Sequence, residues 1–497
     1  MNPQGRENGG RERDARTWST AGAGGTPGLA SARSGLRTYD LLAVDQLHVV
    51  DEVDALPNDD HARGCYQRML ATDATIYGLP SVFQYAQLYE QAVDVNGASY
   101  TGFNRLLHQR EMATPDFTAF KTPNVDTLYS NAWLDLSAGP AIIEVPPIED
   151  RYYTLQFVDM YGNSTNLSSR TVGQGGGRFF VATTTWDGDA PTDATPFRVA
   201  TPYMWILMRI LVKGPGHDVE LVQSLQDQVT ITPVTESANV EFVAVTFDEV
   251  QTQAVPYFRA LDWTLRHNGH PLQESAYVQR FRSIGVGALD PFDPNSLDPV
   301  SLANINAGFH DAMDVISRSR DQVGTRGPTG WNTGTVGEIG FAYLRRAIQN
   351  FVGTGGNVAA EKKFFVTFED ADGEPLDGAA GRYSVTFETP PPVDGHWSLT
   401  VYPEDTGLLY PNEIDRYAVG PDTDGLTASA RGAVTIRLQH DRPDPDAIWL
   451  PVPAAAFYVD LRMWEPRPEA TDGRWLPPPI ERTDMRSERT TSPTASR

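Results

Sequence analysis

From Phe457 to Trp464 the side chains alternate. Phe457, Val459, Leu461 and Met463 are interleaved with Tyr458, Asp460, Arg462 and Trp464. A period of two assigns each set to one face of an extended strand, whereas a helix would spread both sets around its axis. The run Ala433 to Gln439 repeats the pattern, with Val434, Ile436 and Leu438 on one side and Thr435, Arg437 and Gln439 on the other. Such half-buried strands belong to antiparallel sheets, so a sandwich or jelly roll is expected rather than a parallel sheet.

The same signal, in shorter pieces, occupies Lys121 to Thr185. Strands are expected over Ala141 to Val145, Tyr152 to Val158 and Arg178 to Thr183, punctuated by Pro146-Pro147, Tyr161-Gly162-Asn163 and Gly175-Gly176-Gly177. Elsewhere the period lengthens. His61 to Val93 carries apolar residues at helical spacing, and Gly78-Leu79-Pro80 predicts a break into two helices. Helical periodicity returns from Met204 to about Phe351.

With 497 residues, several cores are expected. The reading is mainly β with helical additions, as two antiparallel β-sandwich or jelly-roll-like domains plus a helical domain. Its expected boundaries are a disordered leader over 1–55, a helical segment over 56–115 and a first β-sandwich over 116–235. A helical domain follows over 236–355, then a second β-sandwich over 356–480 and a disordered tail over 481–497.

Charge narrows the partners. The net charge is −24 and only Lys121, Lys213, Lys362 and Lys363 are lysines, so the body repels phosphate backbones and anionic lipid. Neither nucleic acid nor a membrane is an expected partner. No apolar run is long enough to span a bilayer or form a signal-peptide core, which favours the cytoplasm over export. Cys65 is the single cysteine and is read as a small core residue. His267 and His270 lack a third ligand, so no metal site is expected. Asp370-Ala371-Asp372-Gly373 reads as a hairpin turn between Phe368 and Tyr383, not as a calcium loop. No phosphate loop or nucleophile elbow is present, and the expected chemistry uses no cofactor.

Several separated motifs share one order. Ile76-Tyr77-Gly78-Leu79-Pro80 precedes Thr122-Pro123-Asn124-Val125-Asp126-Thr127-Leu128-Tyr129-Ser130, Trp133-Leu134-Asp135-Leu136, Val145-Pro146 and Arg151-Tyr152-Tyr153. Then come Arg170-Thr171 and Leu225-Gln226-Asp227-Gln228. A second set comprises Trp397-Ser398-Leu399-Thr400-Val401-Tyr402, Pro411-Asn412, Arg416 to Gly420, Trp449 to Pro453 and Leu461 to Pro466. Over roughly residues 60 to 480 the chain resembles the family with domain of unknown function 1254 followed by domain of unknown function 1214. The resemblance implies two sandwich or jelly-roll domains with an associated helical domain, and supplies no reaction. The chain departs from the family's usual residues at His396, where Phe is common, and at Ile448, where Asn is common.

The polar residues inside these motifs are the site candidates. Asp126, Arg151, Arg416 and Arg462 are the proposed catalytic set. A carboxylate can act as base or acceptor, and an arginine fork suits a carboxylate or phosphate on a ligand. Asn124, Tyr129, Asp159, Arg170, His396, Trp397 and Asn412 are the proposed substrate contacts. The alternatives are structural: an Asx-type turn at Asn124 and Asp126, and ion pairs among the arginines and aspartates. Two functions stay open. One is a cofactor-independent, hydrolase-like enzyme acting on a small organic or carbohydrate-like molecule in a charged, aromatic-lined pocket. The other is a non-catalytic ligand-binding, glycan-binding or assembly protein, with a homo-oligomer among its expected partners.

Overall fold

The computed structural model describes residues 56–118, 121–214, 217–235, 238–334, 336–424, 426 and 432–484. The leader expected over 1–55 and the tail beyond Asp484 lie outside them. The fold is mainly β with helical additions, built from open, largely antiparallel sheets.

The first sheet runs β1 (Leu107–His108), β2 (Thr127–Asp135), β8 (Tyr203–Leu211), β4 (Tyr153–Val158), β5 (Ser164–Ser168). A second sheet of β7 (Thr195–Val199), β6 (Gly177–Thr183), β3 (Ala141–Val145) and β9 (Thr230–Pro233) covers one face of it. Between them lies a core of Leu128, Ile143, Leu155, Phe157, Phe179, Val181, Ile206 and Met208. The expected strands in this region are present. Met204 to Leu211, expected as helical, instead belongs to the strand β8, hydrogen-bonded on both sides, to β2 and β4. Apolar residues on both of its faces hide the period of two, because both faces are buried.

The third sheet runs β10 (Thr325–Arg326), β11 (Asn332–Thr333), β12 (Lys362–Thr367), β18 (Phe457–Pro466), β14 (Val393–Pro403), β15 (Ala418–Val419). It encloses a core with a fourth sheet of β17 (Ile448–Pro451), β16 (Val434–Gln439), β13 (Tyr383–Phe387) and β19 (Glu481–Arg482). The alternation in β18 holds, with Phe457, Val459, Leu461 and Met463 in that core. The other set is also buried, because that face meets another part of the protein. Glu481 and Arg482, expected in the tail, pair with β13. The Asp370 to Gly373 turn closes early: Leu376 N–H donates to Phe368 O, and Tyr383 belongs to the facing sheet.

Five longer helices complete the molecule: α1 (Asp60–Leu88), α2 (His217–Gln228), α3 (Ala254–Asn268), α4 (Pro299–Arg318) and α5 (Tyr343–Val352). The predicted break at Gly78-Leu79-Pro80 does not occur. α1 passes through Pro80, although proline removes one helical N–H, because residues 77–86 are buried by the surrounding packing. Gly78 serves that packing, since a Cβ there would lie 2.6 Å from a Leu261 methyl. Cys65 is exposed on α1, not in a core. Together with Trp133, Val158, Tyr203 and Trp205, α1, α3, α4 and α5 form a core over the free face of the first sheet. Among the described residues no helix is long and apolar enough to cross a membrane.

Candidate functional site

The free face of the first sheet is shared between the helices and the polar face of the third sheet. Strand register places the side chains. On the third sheet Lys362 and His396 flank Trp464, Ser398 lies beside Arg462, and Thr400 beside Asp460. On the first sheet Arg209 lies between Tyr129 and Thr154.

The segment from Thr122 to Asp126, leading into β2, docks onto the third sheet. Tyr402 Oη donates to Pro123 O at 2.6 Å, and Arg462 Nη2 donates to Thr122 O at 2.9 Å. Thr122 is β-branched yet has φ +59°, a strained conformation held by these bonds and by Thr122 N–H to Gly407 O at 2.8 Å. Asn124 Oδ1 then accepts from the N–H groups of Asp126 and Thr127, at 2.9 and 3.0 Å, forming the expected Asx turn. That turn delivers the Asp126 carboxylate into the layer. Asn124 also donates to Tyr129 Oη.

Asp126 Oδ2 accepts from Ser398 Oγ at 2.6 Å and from Trp464 Nε1 at 3.3 Å, while His396 Nε2 lies 3.7 Å from Oδ1. Burial alone would raise this carboxyl. Facing His396, Ser398 and Arg462 outweigh it and hold Asp126 below the usual carboxylate range. The other imidazole nitrogen of His396 lies 3.8 Å from Asp422. Arg462, 2% exposed, pairs with Asp460 Oδ2 at 2.8 Å and lies over the Tyr402 ring. Although burial disfavours the cation, Asp460, Tyr402 and Asp126 hold Arg462 protonated.

Two further cations occupy the layer. Arg209, 6% exposed, donates from Nη1 to Gln156 Oε1 at 2.6 Å and lies 5.3 Å from the centre of the Tyr129 ring. Its Nε has no hydrogen-bond partner, and among the described residues no carboxylate pairs with it. Lys362 Nζ sits 5.2 Å from the centre of the Trp464 ring, on a partly exposed side chain. Burial, then repulsion by Arg462 and Arg209, pushes its pKa down to about 7 against the pull of Asp460 and Asp126. Asp460 Oδ1 and Glu361 Oε2 are also buried without a partner. Among the described residues no group of three or more His, Cys, Asp or Glu side chains is placed to hold a metal ion.

Of the residues singled out from sequence, this layer gathers Asn124, Asp126, Tyr129, His396 and Arg462. Arg170 stands at its margin, paired with Glu361 at 2.7 Å. The others lie elsewhere. Arg151 makes a two-pronged pair with Asp218 of α2, at 2.8 and 2.9 Å, and donates to Leu211 O, which ties that helix to the first sheet. Arg416 donates to Trp449 O, and Asn412 bonds the Tyr410 and Arg416 carbonyls inside its own loop. Trp397 faces the core of the second β unit against Phe387. Asp159 closes the Tyr161 to Asn163 turn beside the helical layer, where burial raises its carboxyl to about 6. Arg209 and Lys362 are absent from that set. Each carried a signal: Arg209 is the lone charge in the run Tyr203 to Leu211, and Lys362 is one of four lysines in an arginine-rich chain.

The family described as "Protein of unknown function (DUF1254)" matches residues 103–233, which includes the Asx turn and all of β2 to β9. "Protein of unknown function (DUF1214)" matches 361–468, from Glu361 through β18. The crystal structure of the VPA0106 protein from Vibrio parahaemolyticus is similar, with a TM-score of 0.66 and 24% identity, over 84% of this chain and 100% of that one. A putative uncharacterized protein from Burkholderia cenocepacia matches at TM-score 0.41 and 11% identity, over 88% of this chain and 92% of that one. No curated protein matches. The two matched segments contribute the two walls of the polar layer, and the chain carries a DUF1254 match followed by a DUF1214 match, both domains of unknown function.

Proposed function

We propose that the layer between the first and third sheets binds a small organic anion, and that the protein is a cofactor-independent enzyme acting on it. The observation that carries this reading is Arg209. A buried charge costs several kcal/mol unless it is paired, and the described residues offer this guanidinium only an amide oxygen and an aromatic face. A ligand carboxylate or phosphate would complete its fork. A neutral sugar would leave it unpaired, so within the small-organic class an acidic compound fits better than a plain carbohydrate.

His396, held between Asp126 and Asp422, is the acid or base of this reading, and Asp126 orients it. A serine-nucleophile mechanism gains no support. Ser398 donates to Asp126 rather than to an imidazole, so the carboxylate stands where the base would have to be. Hydrolysis, if it is the reaction, would run through a water activated by His396.

A second reading is favoured by the paired part of the layer. Asp126 with Ser398 and Trp464, and Arg462 with Asp460, would also serve as a joint in a non-catalytic binding protein. Both readings require the anion site. Calorimetric titration with oxalate, glyoxylate and inorganic phosphate tests it. Saturable binding of at least one is expected, weakened about tenfold or more in Arg209→Gln, the loss of one charge-assisted hydrogen bond. Absence of binding by all three to the wild-type chain would overturn the anion reading. A reaction lost in His396→Gln with binding retained separates enzyme from binder.

A further inference from the structure

We infer that Lys362 is a nucleophilic amine that captures the carbonyl carbon of the bound anion as an imine, which makes 2-oxo acids and other carbonyl-bearing organic acids the ligand class. This rests on the anion reading above and goes one step beyond it.

The geometry is that of an unengaged amine in a prepared place. Lys362 is first in β12 and projects onto the polar face beside Trp464. Among the described residues no hydrogen bond or ion pair holds its Nζ, which sits over the Trp464 ring. The charged groups facing it come from both walls: Arg462 and Asp460 on β18, Arg209 on β8 and Asp126 ahead of β2. Neither carboxylate is given over to it. Asp126 accepts from Ser398 and Trp464, and Asp460 gives Oδ2 to Arg462. A lysine meant as a structural cation would be expected to meet one of these carboxylates directly. This one has a partly exposed side chain and two guanidinium neighbours that disfavour its protonation.

The step balances without a co-reactant. The unprotonated amine adds to the carbonyl carbon, forming a C–N bond while the carbonyl oxygen takes up a proton. Nitrogen then gives up its two hydrogens in all, the C–O bond breaks, and the oxygen leaves as water. Solvent, which reaches this partly exposed side chain, carries a proton from nitrogen to the departing oxygen. The ligand's carboxylate, bound at Arg209, fixes which carbonyl is presented to Lys362.

The test uses the full-length wild-type chain, treated with glyoxylate or with acetaldehyde in the presence of cyanoborohydride, which reduces an imine to a stable amine. Peptide mapping is simple, since the chain has four lysines. Lys121 and Lys213 serve as references, and so does Lys363, which lies over the Phe365 ring on the opposite face of β12. Lys362 is expected to be alkylated first, with a rate that climbs through pH about 7, to which burial and the neighbouring arginines depress this amine. Glyoxylate is expected to outpace acetaldehyde at Lys362 by about tenfold or more, the worth of a charge-assisted contact, and Arg209→Gln to erase that preference. Should that variant fail to fold, the glyoxylate-to-acetaldehyde ratio in the wild type gives the same answer. Alkylation spread evenly over the lysines would overturn the inference. Glyoxylate binding by calorimetry without alkylation of Lys362 would sink the imine and leave the anion site standing. Selective alkylation at equal rates by both aldehydes would keep the amine and remove the acid from the ligand class.

Discussion

At the scale of single residues, the polar layer sets charges against stability, and Lys362 shows the sign most clearly. Burial lowers its folded-state pKa to about 7, below the ordinary lysine value. Between those values the unfolded chain holds a proton that the folded chain has released, so unfolding free energy rises with pH across that window. Below about pH 7 the full penalty applies. Lys362→Met removes it, and urea denaturation is expected to find the variant more stable than wild type at pH 7 by about 1–3 kcal/mol, allowing for the partly exposed side chain. The gap should narrow by pH 9 to 10; a variant less stable at pH 7 would mean that the ammonium is held by contacts and not merely tolerated. Asp126 gives the same sign of pH dependence in a lower window: its folded carboxyl is depressed, so its stabilising contribution is lost as pH falls below the ordinary carboxylate range. The sequence made Asp126, His396 and Arg462 legible because each sits in a motif whose alternation or turn chemistry is strong. Arg209 and Lys362 were not, because strand period tells which residues share a face but not which faces meet.

At the scale of elements, tertiary packing twice overrode local signals. Gly78-Leu79-Pro80 has the composition of a helix break, yet α1 continues because its second half is buried against other helices. The run Tyr203 to Leu211 has no clean period because β8 is covered on both faces. In β16 and β18 the period stays visible because the face away from the core carries polar residues, Thr435, Arg437 and Gln439 in one and Asp460 and Arg462 in the other, even though that face of β18 is buried too. Glycine has a different meaning in these helices from the one it has in turns. Gly308 lies where α4 crosses α1, and a Cβ there would stand 2.3 Å from the Arg68 carbonyl oxygen and 2.8 Å from the Ala71 Cβ. Backbone cannot move aside as a side-chain tip can. Although alanine has the better helix propensity, Gly308→Ala is expected to destabilise the protein by about 1–3 kcal/mol through overpacking. Thermal denaturation checks this, and an unchanged or higher midpoint would show that the helices separate freely.

At the scale of the whole molecule, a chain of net charge −24 gathers Arg209, Arg462 and Lys362 around Asp126 and Asp460. The long-range field therefore does not favour an anion, and the local site must supply its affinity at short range. The same layer joins the two β units. Ser398 to Asp126 and Arg462 to Thr122 lie toward one end; Ser168 to Glu361, and Asn166 to Asn357 at 3.0 and 2.9 Å, lie toward the other. Separating the units would strand several buried polar groups together, each needing a partner in the absence of water. The two units are therefore expected to unfold as one. Native-state hydrogen exchange resolves this strand by strand: amides of β2 and β8 should open with the same free energy as those of β14 and β18. Asp126→Leu leaves His396 and Ser398 without their acceptor and should lower both sets alike, by about 3–5 kcal/mol, as breaking a buried charged pair does. If only β14 and β18 lose protection, the units are separable and the polar layer acts as a cleft that opens between them. In that case the Asp126 network would latch a binding site, and the strain at Thr122, clamped by Arg462 and Gly407, would be released when it opens.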